Sequence, residues 1–251
     1  FHQAGVVVSL REFTVNAFNQ HHGIQPEERF DLNPARGMNR DFDEDGVPRE
    51  MTVGDVTAVT LFQAALGTPV QKLPWDENEQ ADVRRGETLF REVGCARCHV
   101  PWMELDSPYY TEPSPFNPQG TFNDQSKNIR FDMTKEGQLP RLETGSSGRA
   151  VVRAYTDLKR HNLCDPPGLP NAVRFFCNEE FDHGRPMQDG RPGSEFFLTR
   201  KLWDVGNSAP YGHRGDITTI SEAIYHHAGE ARTARDSFLE LSVVRQSLIV
   251  D

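Results

Sequence analysis

Residues 95–99 read Cys-Ala-Arg-Cys-His, and no other short segment restricts the chain as tightly. C-x-x-C-H is the pattern of covalent haem c attachment. Two thiols three positions apart on one turn reach the two vinyl groups of a haem, and the next residue, His99, supplies an imidazole nitrogen to the iron. A chain with this segment must therefore wrap a flat apolar macrocycle. The preceding pattern agrees: a helix over about 81–93 would bury Leu89, Phe90 and Val93, with Gly86 allowing close helix approach and Phe90 packing on the ring. The competing reading of Cys95 and Cys98 is a C-x-x-C zinc or redox pair, which the adjacent histidine and the helix suit less well.

A haem c usually takes a second axial ligand. Nine His and five Met are available. Thr219 and Glu222 read as a capping box that opens a helix through about His227. On it Ile220, Ala223, Ile224 and His227 fall at i, i+3, i+4 and i+7, so His227 sits on the apolar face and is the expected ligand. A buried histidine bonded to a carbonyl is the alternative for that position. His226, Met187 and Met133 are weaker candidates. His213, in the turn before Arg214-Gly215-Asp216, reads as structural. Arg200 and Lys201 are candidates to pair with haem propionates, and Trp102 and Trp203 to pack on the ring or carry electrons.

Other helices are marked by their ends. Ser9 and Glu12 open one that runs to His22 and stops at Gly23, with Leu10, Phe13, Ala17 and Phe18 as its apolar stripe. Thr52 and Asp55 open another that ends at Gly67. Residues 70–80 look like a linker, and 233–251 is helical in pattern. The stretch 100–196 is rich in Pro, Gly, Asn and Ser and shows little periodicity outside about 149–159, which suggests a segment that wraps a ligand or forms an interface. The expected architecture is mainly α, a cytochrome c-like haem domain over 80–251 with long irregular insertions, preceded by the end of another helical domain over 1–75.

Asp41, Asp43 and Asp45 alternate before Gly46, with Glu50 following. Such a loop suits Ca²⁺, with Glu50 or Asp55 closing a shortened site; an acidic surface turn is the other reading. Haem c is attached outside the cytoplasm, where disulfides persist, so Cys164 and Cys177 are expected to pair. With 37 acidic against 27 basic residues the net charge is −10, and no basic run suits a nucleic-acid backbone. No apolar run reaches about 18 residues, so no transmembrane helix is expected. The chain starts at Phe1 without Met and stops within an apolar helical pattern, which reads as part of a longer, processed protein.

The residues above, with 9–25 (SLREFTVNAFNQHHGIQ), 41–69, 86–101 (GETLFREVGCARCHVP), 155–162 (YTDLKRHN) and 197–231, resemble the bacterial di-haem oxidoreductases of the cytochrome c peroxidase superfamily. The resemblance implies His99 as proximal ligand and a distal ligand about fourteen positions after His213, which is His227. It implies a second haem bound N-terminal to Phe1 and Ca²⁺ between the domains; His21 or His22 would ligate or cover that haem, or else are ordinary helix-end histidines favoured by the helix dipole. It also implies a periplasmic setting and a redox partner protein. A histidine at 227, where peroxidases often carry methionine, points to electron transfer at a low potential. The alternatives are a peroxidase or related oxidase acting at the upstream haem, and a haem-bearing structural subunit of a larger assembly.

Overall fold

The computed structural model describes residues 5–30, 41–178, 193 and 195–251. The chain divides into two compact units, Phe1–Pro69 with Glu104–Val152, and Val70–Met103 with Arg153–Asp251. The first crossover lies near the boundary expected at 75–80. Residues 104–152, which the sequence grouped with the haem segment, instead belong with the N-terminal helices.

In the first unit, α1 (Leu10–His22) has the predicted ends. The Ser9 hydroxyl accepts from the Glu12 N–H, the Glu12 carboxylate accepts from Val8 N–H at 2.8 Å, and Gly23 closes the helix at φ 71°. Its buried face is not the expected stripe. Arg11, Thr14 and Val15 point inward, while Phe13 is exposed. A short helix α2 (Glu27–Phe30) follows. Helix α3 (Val53–Ala64) opens with a complete Thr52–Asp55 capping box and buries Val56 and Thr60. Val15, Met51 and Val56 form a small core with Phe18, Ile24 and Val59 against it.

Strands complete this unit. β1 (Met103–Glu104) enters it, β2 (Tyr109–Glu112) pairs antiparallel with β3 (Ile129–Asp132), and β4 (Glu143–Thr144) pairs antiparallel with β5 (Ala150–Val152) in a sheet ordered β1-β5-β4. β2 brings Glu112 beside Arg11. The buried guanidinium donates to the Glu28 carboxylate, to Glu112 at 2.7 Å, to Thr57 Oγ1 at 3.0 Å and to the Val53 carbonyl at 3.1 Å. Glu112 also accepts from the Tyr110 hydroxyl at 3.2 Å. Burial works against the Arg11 charge, but Glu28 and Glu112 outweigh it and hold the arginine pKa above its ordinary value. Desolvated charges persist only when their hydrogen bonds are made, and here they are.

In the second unit, α4 (Glu77–Glu92) starts before the expected position, because Asp76 accepts from the N–H groups of Asn78 and Glu79. The antiparallel pair β6 (Arg160–Asn162) and β7 (Phe196–Leu198) follows the haem-motif segment. Then come α5 (Ile220–Tyr225), α6 (Arg232–Leu239) and α7 (Val243–Val250). α4 packs on α7 at Gly86, where a Cβ would stand 1.8 Å from the Leu248 carbonyl oxygen, so only glycine permits this approach. Cys164 and Cys177 form a disulfide with Cα atoms 4.9 Å apart.

The expectation of a mainly α, cytochrome c-like architecture is overturned. The described residues are 37% helical and 11% strand, a mixed content. Among the described residues six of seven strands lie within 100–196, most of which reads as irregular in sequence. At two to four residues each, they are too short to show a period of two in sequence. No described helix is long and apolar enough to cross a membrane.

Candidate functional site

The site lies in the second unit. Gly94, at φ 98°, ends the α4 segment and starts a 3-10 turn over Cys95–Arg97, with the His99 N–H bonded to the Cys95 carbonyl at 3.0 Å. This turn sets Cys95, Cys98 and His99 beside Phe90, whose ring centre is 6.4 Å from that of His99. Tyr155 packs edge-on against Phe90 at 6.1 Å. Its backbone is left-handed at φ 52°, an uncommon state for a bulky residue, and its carbonyl meets His99 Nδ1 at 3.0 Å. The chain here is strapped by Thr156 N–H to the Val100 carbonyl at 3.0 Å and by Thr156 Oγ1 to the Thr199 carbonyl at 2.6 Å.

His227 follows α5 directly. Thr219 caps that helix through the Glu222 N–H, while Glu222 reaches back to Thr218 N–H, one residue before the partner a strict capping box would use. His227 Nδ1 lies 2.7 Å from the Ala223 carbonyl. Both imidazoles thus meet a carbonyl through Nδ1. A carbonyl only accepts, so each Nδ1 is the protonated nitrogen and each Nε2 carries the lone pair. Burial lowers both pKa values; the carbonyls of Tyr155 and Arg200 oppose this at His99, as does that of Ala223 at His227. Neutral imidazole is the form that binds a metal.

The His99 and His227 ring centres are 6.5 Å apart. A ligand nitrogen about 2 Å from a metal, with its ring centre about 1 Å further back, puts two opposed axial imidazoles about 6 Å apart. The observed separation of the ring centres matches that spacing. The cysteines fit as well. Both are unpaired thiols. Burial pushes the Cys95 pKa up to about 11 and raises that of Cys98, with Asp157 and Glu230 adding to it. A redox C-x-x-C pair is instead marked by a depressed thiol pKa.

Cys98, Asp157 and His161 have ligand atoms within 4.8 Å of one another, which raises a second metal reading. His161 argues against it. Its Nε2 lies 2.9 Å from Asp157 and its Nδ1 2.8 Å from Glu230, so both nitrogens are held by carboxylates. Burial opposes the charged form, but Glu230 and Asp157 prevail and raise the pKa. This is an ion-paired imidazolium, not a lone-pair donor.

The remaining candidates fall elsewhere. His226 stacks on Phe175. Met133 belongs to the first unit, and Met187 lies outside the described residues. His213 is exposed in a turn, and His21 and His22 are exposed at the end of α1. Lys201 Nζ sits 5.7 Å over Trp203, whose Nε1–H donates to the Arg153 carbonyl at 2.6 Å; Trp102 is half-exposed. Asp41, Asp43 and Asp45 do converge, with oxygens within 4.8 Å of one another. Asp41 accepts from the Glu44 and Gly46 N–H groups, and its hydrogen bond with Asp43 raises the Asp43 pKa. Glu50 is not in this group; it accepts from Gln25 N–H at 2.6 Å. Phe175 and Phe176, which line the His226–His227 pair, escaped sequence reasoning because their loop has no periodic pattern.

Compared with protein-family models, with curated proteins and with solved structures, the chain finds no match.

Proposed function

We propose that this chain is a c-type haem protein that transfers single electrons, with thioether bonds from Cys95 and Cys98 and axial bonds from His99 and His227. The observation that carries this reading is the 6.5 Å pairing of two imidazoles beside the C-x-x-C-H turn, each with Nδ1 on a backbone carbonyl. The haem supplies a one-electron iron couple when bound. The protein's residues do the rest. Cys95 and Cys98 would hold the haem through thioether bonds, an addition that would consume no oxidant. The Tyr155 and Ala223 carbonyls fix the ring orientations and raise ligand basicity. His99 and His227 would hold the iron, and a His/His pair would set a lower potential than a His/Met pair.

The motif resemblance supports placing the chain among di-haem oxidoreductases of the cytochrome c peroxidase superfamily, as their electron-transfer haem segment with a redox partner protein. The disulfide supports an extracytoplasmic setting. The Asp41–Asp43–Asp45 loop suits Ca²⁺, with Glu50 left outside the ligand set.

Expression with haem c maturation machinery tests this. Intact mass should rise by one haem that survives acidic acetone extraction, and Cys95→Ala or Cys98→Ala should weaken or abolish that attachment. Extractable haem, or zinc in its place, would refute the assignment.

A further inference from the structure

Two adjacent histidines compete at the end of α5, and different contacts hold them. His227 is anchored along the helix by the Ala223 carbonyl. The His226 ring lies flat on Phe175, with centres 3.8 Å apart and planes at 18°. Arg214 places its guanidinium carbon 4.9 Å from the centre of the same Phe175 ring. Phe176, buried, stands T-shaped to Phe175 at 5.2 Å, to His226 at 6.3 Å and to His227 at 6.5 Å. Both phenylalanines ride on a 3-10 turn, Phe175–Asn178, that contains Cys177 and is tied through it to Cys164. The helix is spent here: His226 is its C-cap, and Ala228 is already extended at φ −128°, ψ −166°. Helical geometry alone therefore does not decide which imidazole turns toward His99.

We propose that Phe175 is a positioning residue that selects the axial ligand, holding His226 in a stack so that His227 alone completes the site. The proposal rests on the reading above that an iron is held opposite His99. An aromatic stack biases a ring between stacked and swung-out states by roughly 2- to 12-fold. That is a tilt between two neighbouring ligands, and its effect should be measurable as one.

The test is low-temperature EPR of the haem-loaded ferric protein, with variants compared at equal haem content. His227→Ala should be largely high-spin, because His226 stays on Phe175. In Phe175→Leu/His227→Ala the ratio of low-spin to high-spin iron should rise roughly 2- to 12-fold. Adding His226→Gln should reverse that rise, and Phe175→Tyr/His227→Ala, which keeps the stack, should match His227→Ala. Should the double variants fold poorly, Phe175→Leu alone, with both histidines present, should show a second low-spin signal. An unmoved ratio, a fully low-spin His227→Ala, or rescue that survives His226→Gln would each overturn the proposal. Failure of the underlying reading looks different: the wild-type chain would carry no covalent haem.

Discussion

The two units each bury a polar centre, and the centres are finished differently. Around Arg11 the donors and acceptors close on one another: the guanidinium reaches two carboxylates, a hydroxyl and a carbonyl, all from the same unit. Around His99 and His227 the imidazoles are fixed by backbone carbonyls alone, Tyr155 and Arg200 at His99 and Ala223 at His227. The first arrangement is a structural cross-link between α1, α2 and β2. The second is a pair of oriented imidazoles, which the proposed function reads as ligands. Polar burial as such therefore does not mark a functional site; burial with donor capacity still unspent does.

Breaking the closed centre should have the largest effect. Arg11→Met strands Glu28 and Glu112 in the interior and should cost about 3–5 kcal/mol in chemical unfolding. Replacing all three charges by apolar residues of similar size should recover much of that loss. If Arg11→Met alone were nearly neutral, the network would not be a cross-link. Next comes the disulfide beside the open centre. Cys164→Ser with Cys177→Ser should lower stability by about 3 kcal/mol through the unfolded chain. Its low-spin signal should also become heterogeneous as the Phe175–Phe176 turn loosens. Gly86→Ala follows, at about 1–3 kcal/mol, since α4 and α7 must separate to admit a methyl group. Covalent haem yield would report whether that separation reaches the site.

The smallest effect expected is a pH dependence at His161. Its pKa is raised in the folded state, so its contribution is complete below the unfolded value near 6.5 and is lost as pH climbs through the folded value. Asp157 and Glu230 have lowered pKa values although burial opposes this at both; their share is complete above the usual carboxylate range and is lost as pH falls through their lowered folded values. His161→Gln should flatten the alkaline limb of an unfolding-versus-pH curve. An unchanged limb would mean that the clamp between β6 and Glu230 contributes nothing.

What could be read beforehand follows from the range of the forces involved. Ser9 and Gly23 marked both ends of α1, and Thr52 with Asp55 the start of α3, because caps act over three or four residues. The i, i+3, i+4, i+7 spacing pointed to His227, whose ring centre lies 6.5 Å from that of His99, although α5 itself stops at Tyr225 and helical period alone does not set that ring's direction. The inward turn of Arg11 is not legible in local sequence because it depends on Glu112, about a hundred residues away. The first turn of α4 was taken for linker because Glu77, Asn78, Glu79 and Gln80 carry no apolar signal, only the cap at Asp76. Phe175 and Phe176 were missed because a disulfide-tied loop, not a repeat, sets their position.

The most direct test of the central claim is the low-temperature EPR spectrum of the haem-loaded wild-type ferric protein. Ligation by both His99 and His227 predicts low-spin iron alone. A substantial high-spin signal from this haem would contradict it, leaving His227 a buried histidine bonded to a carbonyl.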